Sequence, residues 1–286
     1  MDVLITGASG VIGNSLARHL AAEGFRPHLT SRFPERLRAL TRDLSASSAP
    51  AAAYSLDLQD LVQCRRVIET FLREAAHPYG LICNAGDLGE LGPFLKLDFN
   101  QWMESFQRNF LGHAAMIHAF VAGFYEKGLK GGRIVALSGA GLGGNSLFAN
   151  VTSYSTAKAA LTHLTEALAP ELEPLNMTIN AIAPGAVLSG FTEQAIQAGE
   201  ERIGDYATKA RQCKETGGVS PELTAELVAF LMGPLGGKIT GRLLSARFDR
   251  ERLRRDAHRI AENPNLYRLR RIDEELFSPG PGGKSA

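Results

Sequence analysis

Short apolar runs alternate with amphipathic stretches along the first 246 residues of the chain. The apolar runs have the length of strands, and the stretches between them repeat their apolar residues at helical spacing. The predicted strands cover residues 2–7, 26–31, 53–57, 80–86, 131–139, 177–185 and 238–246. The predicted helices cover residues 14–24, 34–44, 61–75, 100–127, 153–172 and 221–232.

This alternation predicts an α/β protein with a Rossmann-like, doubly wound parallel sheet, because right-handed crossovers place helices on both faces of such a sheet. No repeat or interdomain linker is visible, so we expect one domain over residues 1–246 with a C-terminal extension over residues 247–286. Residues 186–219 are expected to form a substrate lid, and the small, polar segment 44–52 a surface loop. The end of the extension, residues 278–286, has a composition typical of disorder.

Charge and cysteine content exclude several classes of protein. Lysine and arginine number 31 and the acids 30, which gives a formal net charge of +1 and favours neither a nucleic-acid nor a membrane partner. No apolar run spans a bilayer and no leader is recognised at the start, so we expect a cytoplasmic protein. Three scattered cysteines and three helical histidines without metal-like spacing predict neither disulfides nor a metal site: Cys64, Cys83, Cys213, His113, His118 and His163.

A glycine-rich turn follows the first predicted strand. Gly7 permits the tight turn, Gly10 leaves room for a pyrophosphate against the backbone, and Gly13 lets the helix approach the sheet. The free N–H groups at the start of that helix favour an anion. The turn therefore predicts a dinucleotide site, with a plain tight turn as the alternative.

The end of the second predicted strand bears on which dinucleotide would bind. An acid is typical of NAD sites at this place, whereas this chain has Ser31 followed by Arg32, with Arg36 one turn later. A hydroxyl and a guanidinium suit a 2′-phosphate, so the sequence favours NADP(H) over NAD(H). The alternative is that Arg32 and Arg36 only form a solvated helix start.

Tyr154 and Lys158 are four residues apart on a predicted helix, so their side chains share one face. A neighbouring ammonium and a cationic nicotinamide ring would together favour the phenolate, and a tyrosine with a lowered pKa can exchange a proton with an alcohol or ketone. Taken alone, the pair could equally be a packed tyrosine beside a lysine whose amine reaches solvent.

Several motifs occur together in one order: TGASGVIG (6–13), Asp57, NAG (84–86), Asn109, GRIVALSG (132–139), YSTAK (154–158) and NAIAPG (180–185). In this order the chain resembles the short-chain dehydrogenase/reductase family, in its single-domain branch. The resemblance implies that Lys158 holds the nicotinamide ribose and tunes Tyr154, and that Asn109 holds a water in a proton relay. It also implies a cofactor site that includes Ser9, Val11, Ile12, Leu58, Asn84, Ala85, Gly86, Pro184, Gly185, Val187 and Ser189, with Asp57 on the adenine.

The chain departs from the family pattern in three places. Its second motif glycine is at position 10, with Val11 where that branch has glycine, a spacing more usual in the extended branch that handles nucleotide sugars. The position of the family's catalytic serine falls on Gly139, so Ser138, one residue earlier, is the candidate, with Asn145 and Ser153 as alternatives. Strand residues alternate between faces, which normally turns Ser138 away from the substrate.

The third departure is the extension, which carries nine arginines and four acids over residues 247–271. It is either a solvated or subunit-crossing tail, or a source of arginine for an anionic substrate group. The resemblance implies NADP(H)-dependent oxidation of a secondary alcohol or reduction of a ketone in a small molecule, by a homodimer or homotetramer. The alternatives are an epimerase or dehydratase acting on a nucleotide sugar, and a non-catalytic dinucleotide-binding protein.

Overall fold

Seven parallel strands form one sheet in the order β3-β2-β1-β4-β5-β6-β7. The computed structural model describes residues 1–47, 51–139, 141–142, 147–263 and 265–269. The strand order reverses beside β1, which confirms the predicted doubly wound, Rossmann-like α/β fold. The strands are β1 (Asp2–Ile5), β2 (Arg26–Ser31), β3 (Ala52–Ser55), β4 (Pro78–Cys83), β5 (Arg133–Leu137), β6 (Thr178–Ala183) and β7 (Leu243–Ser245).

Helices cover both faces of the sheet. They are α1 (Val11–Ala22), α2 (Arg38–Ser47), α3 (Leu61–Glu74), α4 (Phe99–Phe106), α5 (Gly112–Glu126), α6 (Thr152–Leu168), α7 (Gly190–Ala198), α8 (Glu200–Ile203), α9 (Asp205–Thr216), α10 (Pro221–Met232) and α11 (Arg250–Glu262). None of the helices in the described part of the chain combines the length and apolarity needed to cross a bilayer.

Alternation along the strands divides the interior into two cores. Val3 and Ile5 of β1 join one core with α1, α2, α10 and α11, whereas Leu4 joins the other with α3, α5 and α6. Because neighbouring residues point to opposite faces, an uninterrupted apolar strand serves both cores at once.

Three predicted elements differ from the structure. The surface loop expected over residues 44–52 begins inside α2, which ends at Ser47, and it ends inside β3, which begins at Ala52. The long helix expected over residues 100–127 is two α-helices, α4 and α5, joined by a π-helical turn at Gln107–Leu111. The strand expected over residues 238–246 contains only the three residues of β7. The expected lid, residues 186–219, contains the three helices α7 to α9.

The described part of the extension packs on the domain. Leu253 and Ile260 of α11 are fully buried in the core that also contains α1 and α10. The backbone N–H of Leu243 in the edge strand β7 donates to the carbonyl of Tyr267 at 2.7 Å. Residues 247–263 and 265–269 are therefore part of the fold, while the segment 278–286 lies outside the described residues.

We expect Leu253→Ala to lower the free energy of unfolding by about 2–5 kcal/mol, because it opens a cavity in a packed core. The measurement is urea denaturation followed by circular dichroism. Leu235→Ala is the matched control, since Leu235 is 72% exposed and its truncation should cost less than about 0.5 kcal/mol. Equal effects of the two substitutions would contradict the burial of α11.

Candidate active site

A cleft of about 860 Å³ opens at the carboxyl ends of the strands. This is where doubly wound sheets bind ligands, and the volume is in the range of small-molecule sites. Every predicted catalytic and cofactor-binding residue lines this cleft except Asn109, which is completely buried beside it.

The glycine turn is shaped by two close backbone approaches. Gly7 has φ +66°, and a Cβ built on it would lie 2.8 Å from Cα of Ala85. A Cβ on Gly13 would lie 2.3 Å from the carbonyl oxygen of Gly7, which real structures do not tolerate. A Cβ on Gly10 would meet one described atom, the same oxygen at 3.4 Å, so packing does not demand glycine there. Gly10 instead leaves open space at the N-terminus of α1.

The ends of β1 and β4 are held together beneath this turn. The Thr6 hydroxyl accepts hydrogen bonds from the backbone N–H groups of Asn84 and Ala85, at 2.8 and 2.9 Å. The Asn84 amide donates to the carbonyls of Thr6 and Gly7. Asn84 therefore fixes the turn, and the turn fixes where the first N–H groups of α1 face the cleft.

Polar groups surround the cleft at the end of β2. The Ser31 hydroxyl lies 3.0 Å from that of Ser9 and accepts from the N–H of Phe33 at 3.1 Å. The guanidinium groups of Arg32 and Arg36 lie 5.8 and 4.8 Å from the ring centre of Phe33, and both residues line the cleft. These contacts hold two cations beside a hydroxyl.

Tyr154 and Lys158 both face the cleft from α6 and are buried. The Lys158 amine donates to the carbonyl of Leu137 at 2.8 Å and lies 5.8 Å from the ring centre of Tyr154. Burial lowers the pKa of Lys158 to about 8, whereas burial raises the pKa of Tyr154 above its ordinary value. The lowered pKa expected for Tyr154 depends on the ammonium of Lys158 together with a cationic nicotinamide ring, and it stays a prediction for the protein with bound cofactor.

Asn109 lies in the π-helical turn and holds the segment that follows β4. Its side-chain amide donates to the carbonyls of Asp87 and Ser105, each at 3.0 Å, and its oxygen accepts from the N–H of Asp87 at 3.2 Å. The water expected on Asn109 stays a prediction.

Hydrogen bonds within the protein already use the hydroxyl protons of the two described serines that could replace the expected catalytic serine. Thr162 donates its one proton to the carbonyl of Lys158 at 2.8 Å, so the 2.7 Å contact between Ser138 and Thr162 uses the proton of Ser138. The Ser153 hydroxyl donates to the carbonyl of Glu90 at 3.1 Å. Ser138 lines the cleft and its catalytic role stays a prediction, while Asn145 lies outside the described residues.

The loop after β6 borders the cleft, and the start of segment 186–219 is hydrogen-bonded to the end of the same segment. Val187 pairs with Gly218, and the N–H of Val219 donates to the carbonyl of Ala186 at 2.8 Å. Ser189 caps α7 through a reciprocal arrangement with Thr192. Pro184, Gly185, Val187 and Ser189 thus line the cleft as predicted.

Sequence reasoning missed several residues of the cleft wall. The Arg108 guanidinium donates to Asp87 at 2.7 Å, and this pair lines the cleft beside Lys158. The rings of Phe191 and Tyr206 and the amine of Lys209 also line it, from the lid. Arg108 could have been found from the sequence, because it directly precedes the candidate Asn109. No sequence pattern identifies the cleft residues in segment 186–219.

Comparisons with known proteins agree with this architecture. The family model described as short chain dehydrogenase matches residues 2–200. The 3-oxoacyl-[acyl-carrier-protein] reductase FabG of Rickettsia bellii is 31% identical over 248 residues, which cover 84% of this chain and 92% of that protein. The L-2,3-butanediol dehydrogenase of Corynebacterium glutamicum is 30% identical over 252 residues, covering 84% and 95%.

Among solved structures, a variant of an actinorhodin polyketide ketoreductase with NADPH superposes with a TM-score of 0.73 at 25% identity. The superposition covers 85% of this chain and 94% of that one. The family match, the sheet and the cleft lead to one conclusion: the chain belongs to the short-chain dehydrogenase/reductase family and is an NAD(P)-dependent oxidoreductase.

Proposed function

We propose that the chain is an NADP(H)-dependent reductase of a small-molecule ketone, with the reverse oxidation of a secondary alcohol. The observation that supports this most is the placement of Tyr154 and Lys158, side by side on α6, in the same cleft as the glycine turn. A proton donor beside a dinucleotide cradle is what carbonyl reduction requires.

The residues present fit a dinucleotide. Gly7 and Gly13 form a turn that a Cβ would fill, and α1 presents its N-terminus to the cleft for the phosphates. Asn84 fixes this turn, Asp57 lies at the adenine end, and Lys158 has protons beyond the one donated to Leu137. The bound nicotinamide would supply or accept the hydride.

The protonation state of Tyr154 favours its role as a donor. Because burial raises its pKa, the phenol keeps its proton at neutral pH. During reduction, the phenol of Tyr154 would give its proton to the carbonyl oxygen of the ketone, which becomes the hydroxyl of the alcohol product. The pKa of Lys158, about 8, keeps that amine largely cationic at neutral pH, where it stabilises the phenolate left behind.

Purified protein should consume NADPH with at least one ketone from a panel suggested by the relatives: butane-2,3-dione and a 3-oxoacyl thioester. Tyr154→Phe should lower kcat by about 100-fold or more, because it removes the proton donor, with NADPH absorbance as the readout. Tyr125→Phe is the matched control, since Tyr125 is 75% exposed on α5. NADPH binding without any Tyr154-dependent turnover would support the non-catalytic alternative instead.

The preference for NADP(H) rests on the cations beside Ser31. We expect Arg32→Ala to raise the Kd for NADPH about tenfold or more while leaving the Kd for NADH nearly unchanged, because only NADPH carries the 2′-phosphate. Fluorescence titration of both cofactors measures this. Arg42→Ala, on the exposed surface of α2, is the control. Tighter binding of NADH by the unaltered protein would contradict the preference.

The charged residues that line the cleft indicate which charge a substrate should carry. Among the described residues that line it, six are basic and two are acidic, so the wall suits anionic ligands. One of the six is Arg247, the first residue of the extension, whose guanidinium lies 5.1 Å from the ring centre of Phe248. We propose that Arg247 binds an anionic group of the substrate.

Arg247→Ala should raise KM for an anionic ketone such as 2-oxoglutarate or acetoacetate more than threefold relative to a neutral analogue, with kcat changed less. Steady-state assays with matched charged and neutral ketones measure this. Arg255→Ala, whose side chain on α11 is 73% exposed, is the control. An equal KM change for both substrates would count against an anionic contact at Arg247.

A further inference from the structure

Besides Tyr154, the family pattern has a serine that would donate a second hydrogen bond to the substrate oxygen. In this chain its position is occupied by Gly139. Negative charge develops on a carbonyl oxygen as hydride arrives, and a fixed donor aimed at that oxygen stabilises the transition state. At Gly139 this chain has no side chain, and a Cβ there would lie 2.7 Å from the Tyr154 hydroxyl oxygen. Tyr154 therefore occupies the space that a serine at this position would need.

The neighbouring serines are already engaged. The proton of Ser138 goes to Thr162, because the proton of Thr162 goes to the carbonyl of Lys158. The proton of Ser153 goes to the carbonyl of Glu90, and Ser153 is not among the residues that line the cleft. A donor to the substrate must then come from another wall of the cleft.

Tyr206 lines the same cleft from α9. Its ring lies edge-on to Phe148 with ring centres 5.0 Å apart, and it packs against the apolar cluster that contains Tyr154 and Val151. Its hydroxyl makes no hydrogen bond to any residue that the structure describes. Tyr206 therefore brings an uncommitted donor into the cleft near Tyr154.

The electrostatics of the two tyrosines support this placement. Burial raises the pKa of Tyr206 to about 12, so its hydroxyl remains a donor at neutral pH. Tyr206 packs against the apolar cluster that contains Tyr154, both residues line the cleft, and a negative charge on Tyr206 would raise the pKa of Tyr154.

We propose that Tyr206 is a catalytic residue whose hydroxyl donates a hydrogen bond to the substrate carbonyl oxygen while Tyr154 transfers its proton to the same oxygen. The Tyr206 proton is not transferred, so the balance of the reaction is unchanged. This inference rests on the proposed function, and it gives Tyr206 the role predicted for Ser138.

Tyr206→Phe keeps the ring and removes only the hydroxyl. Assayed with NADPH and whichever panel ketone the unaltered protein reduces fastest, it should lower kcat and kcat/KM together by about tenfold or more. The Kd for NADPH and the melting temperature should match those of the unaltered protein. Tyr125→Phe, on the exposed surface of α5, is the control for loss of a phenol.

The inference alone is overturned if Tyr154→Phe is inactive while Tyr206→Phe keeps kcat within about twofold of the unaltered protein. A rise in KM without a fall in kcat would also overturn it, because a transition-state donor acts on kcat. A tenfold loss in Ser138→Ala with none in Tyr206→Phe would return the role to Ser138. Absence of any Tyr154-dependent turnover would instead overturn the proposed function, and this inference with it.

Discussion

The structure depends on a backbone contact that tolerates no side chain, between the turn after β1 and the end of β4. Gly7 lies against Ala85, and Gly13 against the carbonyl of Gly7, at distances that a Cβ would violate. Because the two segments meet so closely, the Thr6 hydroxyl and the Asn84 amide can tie them with short hydrogen bonds. That contact sets where α1 begins, and hence where its N-terminal N–H groups face the cleft. The substrate end of the cleft is then placed by the order of the same sheet.

A second close contact, between Tyr154 and Gly139, also leaves no room for a side chain. The hydroxyl of Tyr154 lies so near Gly139 that a side chain at that position has no room. Burial raises the pKa of this phenol, which keeps its proton at neutral pH, and lowers the pKa of Lys158 to about 8. The lowered pKa predicted for Tyr154 depends on the ammonium of Lys158 together with a cationic nicotinamide ring, and without that ring burial raises the pKa. Desolvation dominates because the side chain is only 7% exposed.

The parts of the fold that follow from local pattern could be predicted from the sequence. Apolar strands gave the sheet, and the four-residue spacing of Tyr154 and Lys158 placed them on one face of α6. The break between α4 and α5 could not be predicted, because Gln107–Leu111 has no proline or other local interruption and its π-helical turn positions Asn109 against Asp87. Tyr206 was missed for a different reason. Its place in the cleft comes from packing of the lid on Phe148 and Tyr154, a long-range contact that no spacing encodes.

The packing of the extension on the domain affects both the stability of the fold and the lining of the cleft. Its arginines suggested a solvated helix, yet the seven-residue spacing of Leu253 and Ile260 buries one stripe of α11 in the core shared with α1 and α10. Two consequences follow from the same contact. The chain that leaves β7 must turn at Ser245–Asp249 to bring α11 onto that core, and Asp249 accepts the N–H of Ser245 at this turn. This turn carries Arg247 along the cleft wall, so the packing of α11 on the core also places a cation in the cleft.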